Sequence, residues 1–279
     1  MAARTASRWS LAVSALIILL VSGWLVQQWP DRGLWYDETV NAYFAEHSMG
    51  DIWEWCTSID NQVPLDFVLR NLWGDVAGTS EFSLRAFSFF AALLSVAGVI
   101  ALGRRLGDSV VVGWLAGIVY ALSQSLVYAA FEVRAYALGL ALFAWASVVL
   151  WELWTCYGNS ARPLDRGYRR LLIAYLVLAL ALMYTHYTGV VALAAHGLFV
   201  GVDTLRRRAS RQFTVLFHLG AGLLVGYLPW LAALAGRDIR AGTAYAAQVE
   251  PLQALQTYIE FYVYAVSYTH LRAHETKAN

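Results

Sequence analysis

The sequence predicts an all-α polytopic membrane helical bundle of about seven transmembrane helices, with amphipathic interfacial helices in its first outer loop. Three observations predict it. Of 279 residues, 59% are hydrophobic and only 14% are charged, whereas soluble proteins carry roughly 25% charge. The apolar residues gather in runs long enough to cross a bilayer, about 20 residues each. The arginines gather in alternate connections between those runs, as they do when cytoplasmic loops retain them.

The first run covers residues 9–27 and follows Arg4 and Arg8. Its length, with no small-x-small cleavage site, marks an uncleaved anchor rather than a signal peptide. The next runs are 82–102, 110–127 and 135–154. Residues 171–205 would make one helix about 50 Å long, against a hydrocarbon core of roughly 30 Å. Arg169 and Arg170 precede this stretch, and Arg206, Arg207 and Arg208 follow it. Two spans hinged at residues 184–189 keep both clusters inside; a single span would export one. The seventh run is 213–234.

Charge then sets the direction. Arg4, Arg8, Arg104, Arg105, Arg162, Arg166, Arg169, Arg170, Arg206, Arg207, Arg208 and Arg211 fall on the inner side. The outer segment 31–81 holds ten acids against Arg32 and Arg70. The N-terminus is therefore expected in the cytoplasm. Trp9, Trp29, Trp151 and Trp154, near span ends, suit interfacial anchoring. Cys56 and Cys156 fall on opposite faces, so no disulfide between them is expected. Net charge is +1 and no outer patch is basic, so nothing points to nucleic acid.

The first outer loop, about fifty residues, is long for a connection, and long loops are usually functional or disordered. Leu65, Val68, Leu69, Leu72 and Trp73 form a helical apolar stripe, with Pro64 suited to its first turn. Asp66 and Arg70 stand four apart on another face, in register to pair. Val40, Tyr43, Phe44 and His47 give a second stripe. Both predict amphipathic helices in the outer interface.

Polar groups collect at the outer ends of the spans: Asp37 and Glu38 after the first, Arg85 opening the second, Glu132 and Arg134 between the third and fourth, and Tyr184, His186 and Tyr187 at the tight turn. Ionisable groups at membrane depth are costly and mark functional sites. Each has a plainer reading as well. Asp37 and Glu38 suit the first turn of a helix, Arg85 could snorkel, Glu132 and Arg134 could neutralise each other, and His186 could serve its own turn.

Four blocks resemble the GT-C glycosyltransferases, in the protein O-mannosyltransferase-like and lipid A aminoarabinose transferase-like branch. Leu34-Trp35-Tyr36-Asp37-Glu38 resembles the acidic motif after the first span. Asn61-Gln62-Val63-Pro64-Leu65 resembles the His-Pro-Pro-Leu block. The segment from Ser80 through Arg85 to Ser88 resembles the entry to the second span. Tyr128 through Glu132 and Arg134 to Tyr136, followed by Tyr184-Thr185-His186-Tyr187, resembles two further outer-face blocks.

The resemblance implies transfer of a sugar from a polyprenyl-phosphate donor to a lipid, glycan or protein acceptor, with inversion, on the outer face of the cytoplasmic (inner) membrane. It implies Asp37 as general base and Glu38 as its orienting or acceptor-holding neighbour. Arg85, Arg134 and His186 would neutralise the leaving phosphate, which arginine's planar fork suits, with Glu132, Tyr184 and Tyr187 in support. Departures stand at Gln62 and Val63 for His-Pro, at Asp66 for an aromatic, and at Ala86-Phe87 for Leu-Pro. No motif fixes a cofactor, and a divalent metal stays open.

Residues 1–266 read as the N-terminal part of such a catalytic module. The tail from residue 267 changes character and reads as non-native, so His270 and His274 are assigned no chemistry. Family members carry more spans, so the chain is expected to be a fragment, inactive as it stands if acceptor recognition lies in the missing part. Two other classes compete. A transporter would line a path with Glu132, Arg134 and His186, but no internal repeat is visible. A scaffold would leave the converging charges without a role.

Overall fold

The computed structural model describes residues 2–59, 62–160, 163–208 and 210–235. Asn61, Arg162, the side chain of Arg4, the apolar stretch 258–266 and the tail from 267 lie outside the described residues.

Every element among the described residues is helical. In order they are α1 (Ala2–Val26), α2 (Tyr36–Phe44), α3 (Met49–Glu54), α4 (Leu65–Ala77), α5 (Glu81–Leu106), α6 (Val110–Ala121), α7 (Gln124–Phe131), α8 (Tyr136–Leu153), α9 (Arg166–Thr185), α10 (Thr188–Arg207) and α11 (Ser210–Leu234). Single π-helical turns, Trp55–Ile59 and Trp154–Gly158, extend α3 and α8. Six helices are long and apolar enough to cross a membrane: α1, α5, α8 with its π turn, α9, α10 and α11.

The expected third span, 110–127, is not one straight helix. It breaks into α6 and α7, bent by 65°. Ser123 causes the break locally: its hydroxyl accepts the Leu126 N–H and starts a new helix, as serine does at an N-cap. The split at residues 184–189 is as expected, with α9 ending at Thr185 and α10 starting at Thr188.

Helix α5 lies at the centre of the first half, against α1, α4, α6, α7 and α8. Small residues let the backbones approach, as in membrane bundles generally. A Cβ on Gly98 would come within 2.8 Å of the Ala144 methyl on α8, and one on Gly113 of α6 within 2.6 Å of the Ile100 carbonyl on α5. α5 and α8 run in the same direction: Arg85 near the start of α5 bonds the Phe131 carbonyl just before α8, and Arg105 near its end meets Glu152 at 3.2 Å. In the second half, α8, α9, α10 and α11 share a core. There His196 is tied to Ser147 on α8 at 2.9 Å and to Tyr175 on α9 at 3.2 Å.

Large apolar side chains face outward along these helices, among them Leu19, Leu94, Ile173, Val191, Phe217 and Val225. A soluble monomer rarely carries apolar surface on this scale; a multi-pass protein in a bilayer does.

The α4 helix is inverted relative to a soluble amphipathic helix. Its buried face is Asp66, Phe67, Arg70, Asn71 and Gly74, while Leu72 and Val76 are exposed. Burying that polar face requires partners, and these build the site described next.

Candidate functional site

Two adjacent carboxylates on the first turn of α2 have opposite environments. Glu38 is fully buried. One oxygen accepts Arg85 Nη1 at 2.9 Å and the Val133 N–H at 2.8 Å; the other accepts Arg32 Nη1 at 3.0 Å and the Trp35 N–H at 3.1 Å. Its lone pairs are spent on holding the chain. Asp37 pairs with Arg134 Nη1 at 2.9 Å, and its side chain keeps 38% exposure against 13% for Arg134.

Arg85 is equally committed. Its guanidinium donates to Glu81 at 2.9 Å, to both Glu38 oxygens, to the Phe131 carbonyl, and at longer range to the Arg32 and Gly33 carbonyls. An arginine has five N–H donors, so little remains for a ligand. It joins the buried carboxylate to the end of α7, where carbonyls lack helical partners. Ser88 does the same for the Glu132 carbonyl.

Glu132 is buried and does not pair with Arg134. It accepts Arg32 and the Trp35 indole N–H, the latter at 2.7 Å. Burial opposes the charge on Arg32, but Glu132 and Glu38 outweigh it and raise its pKa above the ordinary value.

One turn from Asp37, Asn41 donates to Asp66 at 2.8 Å. Asp66 in turn accepts Arg70 Nε at 2.8 Å, the i, i+4 pair expected from spacing, although both partners are buried. Arg70 also donates to the Leu84 and Arg134 carbonyls and to Ser88. The Arg134 backbone is thereby pinned at 2.7 Å while its side chain reaches Asp37.

His186 ends α9 beside this cluster, its ring 5.9 Å from Tyr136, while the Arg134 guanidinium stands 5.7 Å over the same tyrosine. Burial, then the Arg134 charge, lower the His186 pKa below 6.5, against a smaller opposing pull from Asp66. Its Nδ1 accepts the Thr188 N–H at 3.2 Å and lies 2.8 Å from the Thr188 hydroxyl; the neutral tautomer that accepts there carries its proton on Nε2.

The structure thus brings together Asp37, Glu38, Arg85, Glu132 and Arg134, with His186 adjoining. It turns Tyr184 away: that hydroxyl donates to the Gly226 carbonyl at 3.1 Å, and the ring packs on Tyr227 and Trp230 of α11. Tyr187 packs into the same core. Sequence reasoning missed Arg32, Trp35, Asn41, Ser88 and the site roles of Asp66 and Arg70. The usable signal was buried polarity: Asn41, Asp66 and Arg70 share one face of two adjoining helices. Among the described residues, no three His, Cys, Asp or Glu side chains are placed to share a metal ion.

No protein-family model, curated protein or solved structure matches the chain.

Proposed function

We propose that this protein is a membrane glycosyltransferase of the GT-C kind. It moves a sugar from a polyprenyl-phosphate donor to an acceptor at the bundle end that carries Asp37. The observation that carries this reading is the division between the two neighbouring carboxylates. Glu38 is saturated and buried, whereas Asp37 is accessible and held by Arg134, with His186 adjoining.

Asp37 takes the proton of the acceptor hydroxyl. The acceptor oxygen bonds to the anomeric carbon from the face opposite the phosphate. The carbon–oxygen bond to phosphate breaks, and polyprenyl phosphate leaves with the electron pair, so configuration inverts. Arg134 takes the developing charge, and His186 donates Nε2–H rather than acting as a cation. A positioned base of this sort contributes about 10²–10⁴-fold. In the free protein Arg134 occupies the Asp37 carboxylate. A donor phosphate competes for Arg134 and releases the carboxylate, which ties activation of the acceptor to arrival of the donor. Arg85 acts at one remove: it locks Glu38 and the end of α7, and so fixes where Arg134 sits.

The parallel run of α5 and α8 supports counting α6 and α7 together as one broken crossing, for seven crossings in all. The arginine distribution supports the Asp37 end as the outer one and the amphipathic helices α2 and α4 as lying in the outer interface. The broken span is also what favours a transporter as the second reading, since transporters bind at discontinuous helices. Against it, the freed carbonyls of α7 are occupied by Arg85 and Ser88.

The test is release of polyprenyl phosphate from a panel of polyprenyl-phosphate sugars by the chain reconstituted in vesicles, comparing wild type with Asp37→Asn. The expected result is donor binding retained and turnover lowered at least about 100-fold. Equal turnover in the variant removes Asp37 as base. Substrate uptake into sealed vesicles without release selects the transporter.

A further inference from the structure

Beside α2 lies an open cleft of about 610 Å³, walled by Tyr43, Phe44 and His47 on one side and Asp51, Glu54 and Trp55 on the other. Its chemistry differs from that of the Asp37–Arg134 cluster. Among the described residues, no arginine or lysine lines it. Asp51 is held ionised, its pKa lowered by the Ser48 hydroxyl and then the Ser48 N–H. Aromatic rings supply apolar faces: Tyr43, stacked on His47 at 3.6 Å, is exposed, and Phe44 and Trp55 lie tilted to each other at 5.2 Å.

Helix geometry relates the cleft to the base. At about 100° per residue, Val40, Tyr43 and Phe44 cover one side of α2. Glu38 and Asn41 cover the side facing the buried network. Asp37 falls on the boundary between them.

We propose that this cleft is the acceptor subsite and that it takes an uncharged or amine-bearing sugar, not an anionic one. This rests on the transferase reading and deepens it. Sugar rings present C–H faces to the aromatic side chains, and hydroxyls or an ammonium donate to Glu54. Two carboxylates with no arginine or lysine beside them disfavour phosphate or uronate groups. α2 therefore separates the two substrates: the donor phosphate on the Arg134 side, the acceptor on the Trp55 side, and Asp37 between them.

The experiment is saturation-transfer NMR on the full chain in nanodiscs with three probes: chitotriose, its de-acetylated triamine, and trigalacturonate. Donor release is measured on the same samples. The expected result is binding of the first two and none of the third. Tyr43→Ala, which removes an exposed ring of the cleft, should weaken chitotriose about tenfold, in line with loss of one aromatic contact. Glu54→Gln, at an exposed position, should weaken the triamine more than chitotriose, and it reads the site independently if Tyr43→Ala fails to fold. Equal binding of trigalacturonate, or chitotriose affinity indifferent to Tyr43→Ala and triamine affinity indifferent to Glu54→Gln, overturns the subsite. No sugar binding alongside normal donor release overturns the subsite and leaves the transferase reading standing. Sugar binding with no donor release from any polyprenyl phosphate does the reverse.

Discussion

At the residue scale, Asp37 and Glu38 are neighbours with separable roles, and substitution should separate them. Glu38 neutralises Arg85 where both are fully buried. Glu38→Gln leaves the guanidinium only the half-exposed Glu81 as counter-charge, and breaking a buried pair costs about 3–5 kcal/mol. Asp37→Asn breaks a partly exposed pair, worth up to about 1 kcal/mol. Thermal unfolding in detergent should therefore show a large drop in Tm for Glu38→Gln and little change for Asp37→Asn, the reverse of their order in turnover at saturating donor if the Glu38 variant is assayed while folded. Equal drops would mean that Asp37 is as structural as its neighbour. The sequence placed both acids after the first span, and apart from the resemblance nothing in it ranked them. The ranking comes from the two cations that converge on Glu38, Arg32 from six residues upstream and Arg85 from 47 downstream. Spacing along the chain contains no record of that convergence.

At the element scale, the α5–α6 contact makes a glycine prediction. A Cβ at Gly113 would meet the Ile100 carbonyl at 2.6 Å and the Arg104 N–H at 3.0 Å. Both are backbone atoms that cannot swing aside, so the helices must part. Gly113→Ala is expected to destabilise by about 1–3 kcal/mol, the usual range for overpacking. Gly220→Ala on α11, where the new methyl meets nothing within 4 Å, is the control and should be neutral. Detergent-unfolding midpoints that do not distinguish the two would contradict the close α5–α6 packing. The long spans were legible because a twenty-residue apolar run has few other fates. The shorter elements were less so. The break between α6 and α7 rests on the Ser123 cap, at a polar Ser123-Gln124-Ser125 step too short to end an apolar run by itself. α3 rests on the Ser48–Asp51 capping box, a motif readable from sequence but overlooked beside the stronger apolar stripes. The stripe of α4 located the helix, yet the packed face is mostly polar, because Asp66, Arg70 and Asn71 find partners on α2, α5 and the preceding loops.

At the scale of the whole molecule, the two ends of the bundle differ in kind, and this makes the topology testable. One end gathers Asp37, Arg134 and His186. The other gathers Arg105 with Glu152, Arg207 with Asp203, and Arg211 on the Tyr157 carbonyl, next to exposed Arg166, Arg169, Arg170, Arg206 and Arg208. Arg-rich short connections remain on the cytoplasmic side. Single cysteines at Glu46, Ser109 and Ser210, in a background with Cys56 and Cys156 replaced by serine, then have definite fates with a membrane-impermeant maleimide. Glu46→Cys should label in intact cells, and Ser109→Cys and Ser210→Cys only after permeabilisation. The last two positions test the broken span. From Ser109 to Ser210 the chain runs through α6–α7, α8, α9 and α10, four crossings if the bent pair crosses and three if it turns back. Labelling of both from the same side requires four. Labelling from opposite sides would make α6–α7 a re-entrant loop. It would also conflict with the parallel run of α5 and α8, which brings Arg85 to the end of α7 and Arg105 to Glu152.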